Sequence, residues 1–131
     1  MDTREKIVAL DRLPALFAGA EWTVIAGFFD PMTAAQAKRI ARYREDGRKL
    51  LAVVLEDGET LLPADARAVL AAALRAVDAV AVARPGEWQS AIPKNVKAAC
   101  EDIYAERART AEFVQFILDR KSPAPLSGAA R

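Results

Sequence analysis

The sequence contains no histidine and only one cysteine. Without an imidazole, these 131 residues cannot supply a histidine general base, a histidine metal ligand or a histidine donor to a transition state. Cys100 has neither a histidine partner nor a second cysteine, which argues against thiol catalysis, a zinc site and an internal disulfide. Its neighbours Val96, Ala99 and Ile103 predict instead that Cys100 lies in the core.

An excess of charge and long apolar segments are also missing. The 19 basic and 18 acidic residues give a net charge of +1, so no global field attracts nucleic acid. No apolar run reaches the roughly 20 residues that a membrane span needs. The chain opens with MDTREK rather than with a signal peptide, and together with the single cysteine this predicts a cytoplasmic protein. We therefore expect neither nucleic acid nor a membrane among its partners.

Length and composition favour one domain. A chain of 131 residues can bury one substantial core but is too short for two domains. We expect residues 1–121 to form this domain. Residues 122–131, which read SPAPLSGAAR, are rich in proline, serine and glycine, and they predict a flexible C-terminal tail.

Apolar runs alternate with helical patterns along the first 83 residues. The runs at 21–29, 50–55 and 79–83 are apolar on both faces, as strands buried between helix layers are. Helical spacing predicts helices at 6–20, 33–45 and 63–77. This alternation implies right-handed β-α-β crossovers and a parallel sheet. We therefore predict an α/β fold, a Rossmann-like three-layer domain with a parallel sheet and extra C-terminal helices.

Apolar positions at helical spacing predict which faces are buried. In the third helix the predicted buried stripe is Ala66, Val69, Leu70, Ala73, Leu74 and Val77. After Trp88 the pattern predicts helix again, with one apolar face at Val96, Ala99, Cys100, Ile103 and Tyr104. A second apolar face follows at 113–118. Whether residues 95–121 form one helix or two is left open by the pattern.

The stretch VIAGFFDPMTAAQAKRI, from Val24 to Ile40, predicts a phosphate site. It consists of an apolar strand, a turn at Gly27 and a helix for which Thr33 is a suitable N-cap. The exposed amides and the dipole at such a helix N-terminus favour an anion. Ligands of parallel sheets sit at the carboxyl ends of the strands, which is where this turn is expected to lie.

Three stretches carry a resemblance to a known family. They are KIVALDRLPAL before the first strand, GFFDP after it, and LLPADARAVLAAALRAVDAVAV through the third helix and strand. With these, the chain resembles the nucleotidyltransferases of the cytidylyltransferase-like superfamily, especially the adenylyltransferase domain of heptose-phosphate synthesis enzymes. The resemblance implies a Rossmann-like fold and ATP or CTP with Mg²⁺ as ligands. It also implies transfer to a sugar or alcohol phosphate, and a homodimer.

The sequence departs from the family signature where the signature carries the chemistry. The family continues from Gly-x-Phe-Asp into His-x-Gly-His or Thr-x-Gly-His, whereas this chain has Thr33-Ala34-Ala35-Gln36. Gln36 therefore replaces the histidine that donates to the phosphate, and a neutral amide carries no charge. The Ser/Thr-rich turn of the family is reduced to Arg109 and Thr110, and no further strand is visible between Val82 and Thr110.

These observations give a set of candidate site residues and three hypotheses. Thr33 and Gln36 are the catalytic candidates, and the expected nucleotide contacts are Gly27, Phe28, Phe29, Asp30, Thr33, Gln36, Arg67 and Thr110. Asp30 either touches a ligand or braces the turn through backbone amides. Arg67 either binds the nucleotide or forms an exposed pair with Asp65 or a neighbouring loop acid. Lys38 and Arg39 are expected to form a solvated helix face.

The first hypothesis is a degenerate nucleotidyltransferase that retains weak nucleotide or phosphate binding. The second is an active transferase that uses Thr33 and Gln36 in place of the usual donors. The third is a structural or dimerising module in which the former site is filled.

Overall fold

The structure is a computed structural model, and it describes residues 2–56, 60–101, 111–112 and 114–119. Its strands are β1 (Trp22–Gly27), β2 (Lys49–Leu55), β3 (Ala79–Ala83) and β4 (Lys97–Cys100). Its named α-helices are α1 (Leu13–Ala18), α2 (Ala34–Ala41) and α3 (Ala64–Ala72). Short 3-10 turns occur at Thr3–Lys6, Leu10–Arg12 and Trp88–Ala91. Residues 111–112 and 114–119 are helical.

The strands form one parallel sheet in the order β3-β2-β1-β4. β1 pairs with β2 on one side and with β4 on the other, so Ile25 lies between Ala52 and Ala99. The chain moves outward from β1 to β3 and then crosses back to the far side of β1. Ligands of doubly wound sheets bind where the strand order reverses in this way. The predicted Rossmann-like α/β architecture is confirmed.

Two apolar cores cover the two faces of the sheet. Val24 and Ala26 enter a core beneath α1 and the 3-10 turn at Trp88, because successive side chains of a strand point to opposite faces. Ile25 enters a second core together with Ile40 of α2 and the alanines of α3. The fully apolar runs noted in the sequence are thus explained by helices on both sides.

The predicted first helix is only partly formed. Pro14 lies in the first turn of α1, and Gly19 is its C-cap. Leu10–Arg12 form a 3-10 turn before it, and Ile7 and Val8 are extended: Ile7 forms a parallel bridge with Val80, and the Val8 amide donates to the Val80 carbonyl at 2.8 Å. Because the apolar Ile7 and Val8 can extend the sheet beside β3, strand pairing outweighs the helical spacing there.

The expectation that no strand follows Val82 is wrong. β4 pairs in parallel with β1 from Thr23 to Ala26. The sequence KAAC is short and rich in the helix-forming residue alanine, so pairing with β1 outweighs local propensity. Cys100 is exposed on this edge strand rather than buried in the core. Whether residues 95–121 contain one helix or two also depends on residues 102–110, which lie outside the described residues.

The buried face of α3 also differs from the predicted stripe. Val69 and Leu70 are 39% and 40% exposed, whereas the buried residues of the helix are Arg67, Ala68, Ala71 and Ala72. Small alanine side chains let the helix lie close to the sheet, and the buried arginine determines which side of the helix faces inward. β2 and β3 lie where the apolar runs predicted them.

Candidate functional site

The turn after β1 lies at the carboxyl edge of the sheet, as predicted, but its geometry differs in detail. Gly27 is the last residue of β1 rather than the turn itself. The chain turns at Phe29, whose φ of 52° is in the left-handed region that bulky residues rarely adopt. The Asp30–Pro31 peptide is cis. The Thr33 hydroxyl accepts a hydrogen bond from the Gln36 amide at 3.2 Å, which confirms Thr33 as the N-cap of α2.

The two phenylalanines of the turn anchor it to the protein interior. Phe28 is 5% exposed and packs in the core beneath α1, whereas Phe29 is 0% exposed and packs in the core beneath α2 and α3. Both rings are therefore used for packing. Their assignment as nucleotide contacts remains a prediction.

Asp30 and Arg67 brace the turn, and we call this pair the turn buttress. The Asp30 carboxylate accepts from the amides of Leu61 and Leu62 at 2.5 and 3.0 Å. Asp30 thereby ties the end of β1 to the segment that leads into α3. Of the two roles predicted for Asp30, bracing through backbone amides is the one the structure shows.

Arg67 is 1% exposed, so the expected exposed pair is wrong. Its Nε donates to the Leu62 carbonyl at 2.9 Å, and its Nη1 donates to the carbonyls of Phe28 and Leu55 at 2.7 and 2.8 Å. A charged donor to a buried carbonyl stabilises by about 1.5–3 kcal/mol. Arg67 thus joins the ends of β1 and β2 to the start of α3.

A second polar group lies where the strand order reverses, and we call it the switch-point cluster: Gln36, Arg39, Tyr43 and Glu101. The first three follow one another at i, i+3 and i+7 on and just beyond α2, and therefore share one face. Glu101 directly follows β4, and its amide donates to the Ala26 carbonyl at 2.8 Å. The cluster thus stands beside the carboxyl ends of both β1 and β4.

The side chains of the cluster bind one another. Glu101 Oε1 accepts from Gln36 Nε2 at 3.3 Å and from Arg39 Nε at 3.2 Å. Its Oε2 accepts from the Tyr43 hydroxyl at 3.4 Å. Arg39 Nη2 also donates to Gln36 Oε1. The side chains of Arg39 and Glu101 are 25% and 10% exposed.

The electrostatics of the cluster keep Tyr43 protonated. Burial raises the pKa of Tyr43, and the negative charge of Glu101 together with their hydrogen bond raises it further, against a smaller opposite effect of Arg39. Tyr43 therefore remains a hydrogen-bond donor throughout the physiological range. Gln36, Arg39 and Tyr43 together present three donors to one anionic group.

Sequence reasoning missed most of this cluster. It assigned Arg39 to a solvated face and did not select Tyr43 or Glu101. The spacing of Gln36, Arg39 and Tyr43 was a usable signal, since it places them on one helix face. Glu101 could be found only once β4 was recognised, because alternation then places it on the same face as Ala99, which packs against the second core.

The described part of the chain has a cleft beside the turn buttress and another beside α2. One, of about 460 Å³, lies beyond the carboxyl ends of β2 and β3 and is lined by Glu56, Thr60, Pro63, Ala64, Arg67, Arg84 and Pro85. The other, of about 540 Å³, lies between α2 and the residues after α3 and is lined by Ala37, Ala41, Arg44, Leu74, Arg75 and Ala76. Neither cleft is lined by Thr33 or Gln36, the two catalytic candidates.

The remaining expectations concern Thr110, metals and membranes. Thr110 lies outside the described residues. Among residues 2–56, 60–101 and the described C-terminal positions, no three histidine, cysteine or acidic side chains are grouped so as to hold a metal ion. The helices of this same part of the chain include none with the length and apolar character that crossing a membrane requires.

The fold and the site together define a Rossmann-like α/β protein with a polar cluster at its switch point. No protein-family model matches this sequence, and no curated protein matches it significantly. The resemblance to nucleotidyltransferases therefore rests on the residues quoted above.

Proposed function

We propose that this chain is a degenerate nucleotidyltransferase-like protein that binds the phosphates of a nucleotide at the switch point and does not transfer them. The observation that carries this proposal is the convergence of Gln36, Arg39 and Tyr43 beside the carboxyl ends of β1 and β4. Doubly wound sheets hold their ligands outside the carboxyl ends of the strands, where the strand order reverses. ATP or CTP with Mg²⁺ are the ligands that the resemblance implies.

Arg39 supplies a positive charge near the position of the missing histidine. Gln36 stands where the family signature has its second histidine, and Arg39 lies one helical turn further and contacts it. A guanidinium is well suited to phosphate oxygens, because its planar donors match their geometry. Anion binding can thus persist in a chain without histidine.

The same contacts argue against efficient transfer. The Gln36 amide is neutral, and it is engaged by Glu101 and Arg39. Loss of a preorganised donor to the developing charge costs on the order of two to three decades in rate. Ala35 adds a methyl group where the family signature has glycine, so the backbone cannot approach a ligand as closely.

Binding is tested by titrating the protein with ATP and CTP, each with and without Mg²⁺, in thermal-shift and calorimetric experiments. A ligand at 100 times its Kd adds about 2.7 kcal/mol to the free energy of unfolding. Arg39→Gln should abolish the shift, whereas Arg42→Gln, an exposed change at the end of the same helix, should leave it unchanged. If neither nucleotide moves the melting curve, the third hypothesis, a structural module, replaces this proposal.

The active-transferase alternative is tested separately by measuring pyrophosphate release from ATP and CTP over sugar and alcohol phosphates. We expect no turnover above background. Turnover that Gln36→Ala abolishes would show that Gln36 acts as the transition-state donor and would overturn the degenerate assignment.

The resemblance also supports a homodimer, and the single cysteine supports a cytoplasmic location. Light scattering on the eluting protein should give twice the mass of one chain. A monomer at micromolar concentration would contradict the proposed dimer without affecting the binding proposal.

A further inference from the structure

We propose that Gln36, Arg39 and Tyr43 form a receptor for a phosphate-type oxyanion whose resident occupant is the carboxylate of Glu101. A ligand phosphate binds there by displacing that carboxylate. This inference rests on the nucleotide binding proposed above, and it adds the mechanism by which the chain itself limits that binding.

Three donors converge on one carboxylate. Gln36 Nε2 and Arg39 Nε both point at Oε1 of Glu101, and the Tyr43 hydroxyl points at Oε2. An amide, a guanidinium and a phenol drawn from one helix face are an oxyanion-binding set. The carboxylate of Glu101 occupies the position that the anion of a ligand would take.

The contacts of this carboxylate with Gln36, Arg39 and Tyr43 are long. They measure 3.2–3.4 Å, whereas charge-assisted N–H···O hydrogen bonds typically measure about 2.7–2.9 Å. Two of the donors share one oxygen, because a carboxylate has only two oxygens for the three donors. A phosphate group has more oxygens and can offer a separate one to each donor.

The Glu101 side chain can leave the donors while the sheet stays intact. Glu101 follows an edge strand, and its backbone is held to β1 by the amide that donates to Ala26. Rotation of the side chain alone removes the carboxylate from the donors. The Arg39 side chain is 25% exposed, so the cation is accessible to an anion arriving from solvent.

Charge sets the direction of the effect. With Glu101 in place, the positive charge of Arg39 is neutralised by the carboxylate, and an incoming phosphate meets a like charge. Replacing Glu101 by glutamine keeps the shape and removes that charge. Anion affinity should therefore rise when Glu101 is neutralised and vanish when Arg39 is also neutralised.

The experiment is isothermal titration of the full chain with inorganic pyrophosphate and, in parallel, with ATP. Glu101→Gln should raise the affinity for both at least about tenfold, which corresponds to about 1.4 kcal/mol. The matched control is Glu45→Gln, which removes one negative charge from an exposed ion pair with Lys97, at the start of the same strand β4. This control should change the affinity by less than about twofold.

A second variant keeps the test decisive if Glu101→Gln folds poorly. The double variant Arg39→Gln/Glu101→Gln removes both charges of the pair, so neither charge is left unpaired. Binding should be lost in this variant, while its circular dichroism spectrum stays native. Binding by the wild-type chain with no gain in Glu101→Gln overturns this inference and leaves the proposed function standing. Binding by Glu101→Gln alone would show that the three donors accept an anion only when the carboxylate is removed, and it overturns both displacement of Glu101 and nucleotide binding in the unmodified chain. Absence of binding in every variant overturns both.

Discussion

The turn buttress and the switch-point cluster each hold a buried or half-buried pair of opposite charges beside β1, yet they use them differently. In the turn buttress, Asp30 and Arg67 bind backbone amides and carbonyls. In the switch-point cluster, Arg39 and Glu101 bind side chains and each other. The first arrangement holds the backbone in place, whereas the second consists of side-chain contacts that a ligand can replace.

The difference follows from what happens when a charge is removed. A backbone carbonyl in the interior cannot turn to water without moving its strand, so loss of its donor leaves a buried polar group unsatisfied. A side chain, in contrast, can exchange one hydrogen-bond partner for another by rotating, without moving its strand. We therefore assign stability to the turn buttress and ligand exchange to the switch-point cluster.

The largest effect is expected for Arg67→Met, which keeps an apolar stem and removes the guanidinium. The carbonyls of Phe28, Leu55 and Leu62 lose the hydrogen bonds that Arg67 donates to them. We expect the free energy of unfolding to fall by about 3–5 kcal/mol, as measured by urea denaturation.

The matched control is Arg84→Met, which replaces an exposed arginine in the lining of the same cleft. Its effect should stay within about 0.5 kcal/mol. A loss below about 1 kcal/mol for Arg67→Met would mean that the turn does not depend on Arg67, and the assigned difference between the two regions would disappear.

Asp30→Asn should have the next largest effect. One carboxylate oxygen becomes an NH₂ group, which faces the amide of Leu61 or Leu62 donor to donor. We expect a loss of about 1.5–3 kcal/mol in the same denaturation experiment. Asp65→Asn, an exposed change in the first turn of α3, serves as the control. Equal losses in both variants would contradict a special role for Asp30.

Glu101→Gln should lower the free energy of unfolding by less than either change in the turn buttress. Arg39 is partly exposed and loses a partner that solvent can replace, so we expect a loss of about 1 kcal/mol or less. The measurement is again urea denaturation, without ligand and with saturating pyrophosphate. A loss as large as that of Arg67→Met would show that the switch-point cluster is structural and would remove the basis for exchange.

The sequence allowed the layers of this fold to be predicted, because β1, β2 and β3 are continuous apolar runs and need only their own residues to be recognised. It did not allow β4 to be predicted, because Lys97–Cys100 is a strand only through pairing with β1. The N-cap role of Thr33 was also predictable, since the cap is a local interaction. Long-range polar contacts were not.

Arg67 and Arg39 show why the site was harder than the fold. Both are arginines on helices, and charged residues there are usually solvated. Arg67 is buried because the ends of β1 and β2 present carbonyls to it, and Arg39 is half-buried because Glu101 approaches from β4. In each case the partner is distant in sequence, so no local pattern reports it.

The smallest expected effect concerns the pKa of Tyr43, which reports directly whether Glu101 contacts it. Burial is the main cause of the raised pKa, and Glu101 adds to it by charge and hydrogen bonding, with a smaller contribution from Cys100. Glu101→Gln should therefore lower the pKa of Tyr43 toward, but not to, its ordinary value. The change is measured by tyrosinate absorbance in a Tyr104→Phe background, which leaves Tyr43 as the sole tyrosine of the chain.

The same shift fixes the sign of a pH effect on stability. Folding raises the pKa of Tyr43 above the unfolded value of about 10. The contribution of Tyr43 to the free energy of unfolding is therefore fully present below that pH and is lost as the pH rises through the folded pKa. Glu101→Gln should make this alkaline loss smaller, whereas Glu45→Gln should not affect it. An unchanged Tyr43 pKa in Glu101→Gln would show that the carboxylate does not rest on the donors in solution. The two regions would then differ in position along the sheet edge but not in the exchangeability of their charges.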